Sequence, residues 1–114
     1  MTHRIEDHFA GRDVVVRAIY DSIVSVASDF GPVIEDPKKT SIHLNRRSAF
    51  AGVKTQRASL VLTLKARTKI DSPRIRKSEQ ASSTRWYHDI KLENTHEIDR
   101  ELIEWLRHSY EISQ

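Results

Sequence analysis

The chain has 114 residues, 38% hydrophobic and 31% charged, with three glycines, three prolines and no cysteine. One core is expected at that length, while disorder, disulfides, a thiol nucleophile and cysteine-based metal centres are excluded. No apolar run approaches the roughly 18 residues of a membrane span and no signal-peptide pattern opens the chain, so a soluble cytoplasmic domain is expected, residues 1–12 forming a flexible N-terminal segment.

From Asp13, an N-cap residue type after Gly11, apolar residues at Val16, Ile19, Tyr20, Ile23, Val26, Ala27 and Phe30 follow the helical period. The spacing predicts a helix over about 13–30, ended by Gly31-Pro32. Val33 and Ile34 read as a short edge strand stopped by Pro37. Lys39 to Arg47 alternates, with Ile42 and Leu44 on one side and His43 and Asn45 on the other. A turn near Arg46 to Ser48 leads to a strand over 49–54, with Ala49, Ala51 and Val53 expected on one face.

The clearest alternation runs from Arg57 to Ile70, where Leu60, Leu62 and Leu64 oppose Val61, Thr63 and Lys65. Asp71-Ser72-Pro73 breaks it. Arg74 to Thr84 has no clear period and reads as a loop with one helical turn. Arg85 to Leu92 reads as a last strand, with Trp86, His88, Ile90 and Leu92 on the side away from Tyr87, Asp89 and Lys91. Asn94 to Glu97 has the pattern of a capping box opening a final helix, with Ile98, Leu102, Trp105, Leu106 and Ser109 on its apolar face. The expected fold is α+β, a two-layer sandwich of an about five-stranded, mainly antiparallel sheet with both helices on one face.

Charge is distributed unevenly along these elements. Residues 1–36 hold 3 bases and 7 acids, residues 37–77 hold 12 and 1, and residues 78–114 hold 4 and 8, giving −4, +11 and −4 against the chain's +3. With the apolar side of the strands committed to the helices, much of the central block falls on the open side of the sheet. Lys39, His43, Arg46, Arg47, Lys54, Arg57, Lys65 and Arg67 are candidate anion contacts, joined by the basic loop Arg74, Arg76 and Lys77. Cations on a sheet neutralise phosphates without sequence choice, and Tyr87 or Phe50 would stack on unpaired bases.

KKTSIHLNRRSAFAGV, ASLVLTL, DSPRIRK, RWYHDIKL and EIDRELIEWLRHSYE together resemble DUF5655, a bacterial domain family of unknown function, over about residues 35–111. The matching positions are Lys39, Thr40, Ile42 and Phe50, then Asp71, Pro73 and Arg74, then Ser109, Tyr110 and Glu111. The resemblance implies a domain of unestablished activity, found alone or beside nuclease-like and restriction-associated modules, and it carries over no catalytic residue. This chain has Ser82-Ser83-Thr84-Arg85 where the members it resembles have an Asn/Gly-rich segment.

His43 is a candidate general base or phosphate contact, for which Asp89 on the last strand is a candidate orienting carboxylate. His88, among apolar neighbours, reads as a satisfied core histidine. His3, Glu6, Asp7 and His8 crowd the N-terminus without zinc-site spacing, and no Gly-rich phosphate loop or nucleophile elbow occurs. Neither metal nor cofactor is expected.

Three readings follow. The first is a non-enzymatic module whose basic open sheet contacts nucleic-acid backbone, DNA or RNA. A small-anion-binding protein or enzyme using His43 with Arg46 and Arg47 at a sheet-edge pocket is the second. The third is an interaction domain for an acidic protein partner, with Ile103, Tyr110 and Ile112 as a modest homodimer surface on an otherwise monomeric protein.

Overall fold

The computed structural model describes residues 3–114. A 3-10 turn at Ile5–His8 leads into helix α1, Val14–Ser28. The strands are β1 Ile34–Pro37, β2 Ile42–Asn45, β3 Ala49–Thr55, β4 Leu60–Ala66, β5 Ile75–Ser82 and β6 Arg85–Leu92. A second 3-10 turn, Thr95–Glu97, precedes helix α2, Arg100–Glu111. The six strands form one open sheet in the order β1-β2-β3-β4-β6-β5, every neighbouring pair antiparallel.

The alternating leucines set the layering. Leu60, Leu62 and Leu64 are buried in one apolar cluster with Val16, Ile19 and Ile23 of α1 and Leu102 and Leu106 of α2, and both helices pack on β4. Each fully buried leucine or isoleucine contributes about 1.5–3 kcal/mol of transfer free energy, so this cluster dominates the stability of the fold. No helix among the described residues covers the opposite face, which carries His43, Thr63, Lys65, Tyr87 and Asp89. No helix among the described residues is long and apolar enough to cross a membrane.

At the C-terminal end of α1 the chain turns through Gly31, whose φ of +151° disfavours any side chain. A Cβ there would overlap the Tyr110 hydroxyl, which donates to the Pro32 carbonyl at 2.9 Å. Glycine is thus required twice, for its backbone angle and for the close approach of α2.

Of the N-terminal segment, Met1 and Thr2 lie outside the described residues, and the residues after them include the turn Ile5–His8. Ile5 and Phe9 pack against the core, the Phe9 ring lies 5.2 Å from Tyr20, and His8 Nε2 is 2.8 Å from the Lys38 carbonyl. Two isolated apolar residues suffice here because they cover α1 rather than form a periodic element of their own.

The segment read as a loop from Arg74 to Thr84 contains β5, a full eight-residue strand. It lies at the sheet edge and pairs only with β6. Most of its side chains are exposed on both faces, so it shows no apolar alternation, and its charges and bulges guard the edge. Residues 67–74 carry the chain across β6 from β4 to reach it. His88 of β6 receives this crossover through the Ile70 N–H, 3.2 Å from Nε2, while Ser78 Oγ lies 2.9 Å from Nδ1.

The Asn94 to Glu97 box is present, but it closes the 3-10 turn and not the final helix. Ile98, at φ −83° and ψ 72°, leaves the helical path. Asp99 then caps α2, its Oδ1 accepting from the Leu102 N–H at 3.1 Å.

The β3 faces also differ. Leu44 pairs with Ala51 but Asn45 pairs with Ala49, so Phe50 is an extra residue in a β-bulge. Phe50 and Ala51 both turn inward, and Ala49 is left on the open side. Phe50 is fully buried edge-on against Tyr110, with ring centroids 5.0 Å apart, and so is removed as a stacking platform for bases. Tyr110 is itself 2% exposed, which removes it from the expected homodimer surface.

Candidate functional site

Strand register lines up one row of residues across the open face: Asp36, His43, Gly52, Thr63, Asp89 and Lys77. Adjacent strands stand about 4.8 Å apart, so His43 and Thr63 are separated by roughly 10 Å with no side chain between them. The bulge deepens this gap by taking Phe50 off the same face. A cavity of about 370 Å³ results, with Gly52 in its floor and His43, Lys54, Thr63, Lys65 and Tyr87 around it. A Cβ on Gly52 would meet only Thr63 Cβ, at 3.6 Å.

The β3–β4 register runs only as far as Ala51 and Leu64, so Phe50 and Lys65, the next positions along, are not paired with each other. The Ser109 hydroxyl of α2 bonds both, accepting from the Lys65 N–H at 2.9 Å and donating to the Phe50 carbonyl. Ser113 adds a bond to the Ser109 carbonyl at 2.8 Å, and its own carbonyl accepts from the Arg47 and Ser48 N–H groups at 3.4 Å. The C-terminal end of α2 therefore holds the cavity wall in place from the opposite side of the sheet.

Lys65 is the most perturbed cation of the cavity. Burial, followed by the charge of Arg85, pushes its ammonium below the usual lysine value. Its Nζ donates to Ser48 Oγ at 3.2 Å, across β3. Thr63 donates to Asp89 Oδ1 at 2.7 Å. On the β1 side, Asp36 is held below the usual carboxylate range first by its hydrogen bond from Lys38, with Asn45 and His43 adding to the effect.

The expected site residues divide into three groups. His43, Lys54 and Lys65 come together around the cavity. Lys39, Arg47, Arg57 and Arg67 are exposed on the turns and connections at the strand ends, and Arg76 is exposed on β5. Lys77 lies on the open face opposite Asp89, 3.9 Å from Glu79.

Arg46 and Arg74 are committed elsewhere. The Arg46 guanidinium stacks 4.6 Å over the Tyr110 ring and donates to the Tyr110 carbonyl at 3.3 Å. Arg74 bridges Asp99 at 2.9 Å and Glu101 at 3.2 Å, donates to the Glu97 carbonyl, and lies over Trp105. Burial opposes its charge, but the bonds to Asp99 and Glu101 outweigh that and hold the guanidinium above its usual value. Arg74 ties the crossover to the start of α2 rather than extending as an arm.

A further correction concerns chemistry. Asp89 does not approach His43: three strand spacings, roughly 14 Å, separate them, and Asp89 is bound to Thr63. The cavity lies within the sheet face and is lined by neither Arg46 nor Arg47. Sequence reasoning passed over Gly52, Ser48 and Arg85 as site residues. Gly52 carried a usable signal, since a glycine inside an alternating strand marks a gap or a close approach.

Searches of the curated proteins and of the solved structures return no match to this chain. The model of a domain of unknown function, DUF5655, matches residues 5–113, and the chain belongs to that family.

Proposed function

We propose that this protein is a binding module that holds nucleic-acid backbone on the open face of its sheet. One observation carries the reading. Of the twelve cations between residues 37 and 77, only Lys38, Arg74 and Lys77 form ion pairs among the described residues. Arg46 is held on Tyr110, and the other eight are left for an external anion. Lys54 and Lys65 of this group flank the cavity, and Arg85 lies close enough to Lys65 to depress its proton affinity. An anion between the two would relieve that repulsion, which is the electrostatic arrangement a phosphate needs.

Fluorescence anisotropy with short labelled oligonucleotides tests the reading. If about four phosphates are neutralised, log affinity should fall against log salt with a slope of roughly −3 to −4. Reversing Lys54 and Lys65 to Glu should weaken binding to all sequences alike, whereas reversing Arg100 and Arg107 on α2 should leave it nearly unchanged. Absence of binding at low salt, or equal losses from both pairs, refutes the proposal.

A small-anion reading is favoured by the cavity itself, whose volume of about 370 Å³ suits one ligand. Its distinguishing outcome is saturable binding of a mononucleotide or inorganic phosphate with the affinity of the longer oligonucleotide.

A further inference from the structure

We infer that the Gly52 cavity seats a single unpaired nucleobase, and that Thr63 and Asp89 select bases carrying an exocyclic amine. The inference rests on the nucleic-acid reading and names the feature that the same face recognises.

The first step concerns shape. The cavity lies inside the sheet face between His43 and Thr63, with Tyr87 in its wall. A base stacked within a duplex cannot enter such a recess, so the occupant is an unpaired base whose phosphates reach the cations at the rim. A volume of about 370 Å³ lies at the lower end of ligand pockets, which accommodates one base and not a stack of them.

The second step concerns hydrogen-bond polarity. Thr63 owns one hydroxyl proton, and Asp89 Oδ1 takes it at 2.7 Å. What Thr63 can offer a ligand is therefore a lone pair, and the adjacent Asp89 carboxylate is likewise an acceptor. Thr63 lines the cavity and Asp89 stands beside it, one strand further along the same row, so the two present acceptors on that side of a face whose other polar groups are mainly donors. An exocyclic amine presents two hydrogens to such acceptors. Uracil presents an N–H flanked by two carbonyl oxygens, which would meet the carboxylate with like polarity. Acceptors that a bound base covers without pairing are costly, so the discrimination acts against the oxo base as well as for the amino base.

Oligo-deoxycytidine and oligo-deoxyuridine of equal length, compared by anisotropy in mildly alkaline buffer, provide the test, with salt slopes measured alongside. Both have pyrimidine rings and the same backbone. Cytosine is expected to bind roughly 3- to 10-fold more tightly, the worth of one or two hydrogen bonds. Thr63→Val, which keeps the shape and removes the oxygen, should bring the ratio close to one without changing the salt slope. Asp89→Ala frees the Thr63 proton and should likewise erase the preference, giving a second route if the valine variant folds poorly. Equal binding of the two oligomers by the wild-type chain, with the salt slope intact, overturns the inference and leaves the backbone reading standing. A preference that survives both substitutions also overturns it. Loss of all binding at low salt overturns both readings together.

Discussion

Replacing Ser109 with alanine should destabilise the protein far more than the removal of one oxygen from a helix ordinarily does. The Ser109 side chain is fully buried, and its hydroxyl bonds two backbone groups in the interior, the Lys65 N–H at 2.9 Å and the Phe50 carbonyl. With the oxygen gone, both groups lose this bond, and they lie beyond the last β3–β4 pair, Ala51 and Leu64. Each unsatisfied buried group costs about 1–3 kcal/mol, and alanine returns only about half a kcal/mol in helix propensity. A net loss of about 2–4 kcal/mol is therefore expected, measured as a lower denaturant midpoint at unchanged slope. Ser113→Ala is the control, because its hydroxyl bonds mainly to the Ser109 carbonyl, one turn back at the end of α2, at 2.8 Å, and it should lose less than about 1 kcal/mol. A Ser109→Ala loss below about half a kcal/mol, the range of surface substitutions, would mean that the strands close on their own and that the hydroxyl does not brace the bulge.

Gly52→Val should fold with unchanged or slightly higher stability, by up to about 1 kcal/mol, since the new side chain enters open space and restricts the unfolded chain. It should lower oligonucleotide affinity at least about tenfold; unaltered affinity in anisotropy would take the cavity out of the binding site. Leu62→Ala removes a leucine that is 0% exposed and should cost about 2–5 kcal/mol in chemical denaturation. Asp99 is held below its ordinary value of 3.8, first by the Leu102 N–H and then by Arg74. Its folded pKa is the lower one, so the stability it contributes is complete above the unfolded value and is lost as pH falls through the folded value. Arg74→Met should abolish part of that dependence, making the stability curve flatter below pH 3.8 than in the wild-type chain; parallel curves would show that the Arg74 pair does not contribute.

Burial and periodicity explain what was legible in the chain itself. Leu60, Leu62 and Leu64 at every second position specify a strand with one buried face, because a one-residue slip would expose all of them. The alternation of Trp86, His88, Ile90 and Leu92 against Tyr87, Asp89 and Lys91 defined β6 in the same way, and the 3.6-residue stripes defined α1 and α2. From these the helix side and the open side followed, as did the places of His43, Lys65 and Tyr87 on the latter. What tertiary structure alone decided lies where no periodic signal exists. β5 is a strand because β6 pairs with it, and an edge strand with two exposed faces needs no apolar pattern. Phe50 turns inward because a bulge breaks the period of two, and beside that bulge Ser109, distant in sequence, bonds the Phe50 carbonyl and the Lys65 N–H. The cavity has the same origin: Gly52 leaves a gap only when His43 and Thr63 stand on either side of it, a juxtaposition made by strand register. Arg74 shows the limit of charge counting, since its proximity to Asp99 and Glu101 at the start of α2 exists only in the folded chain and turns an apparent basic arm into an internal tie.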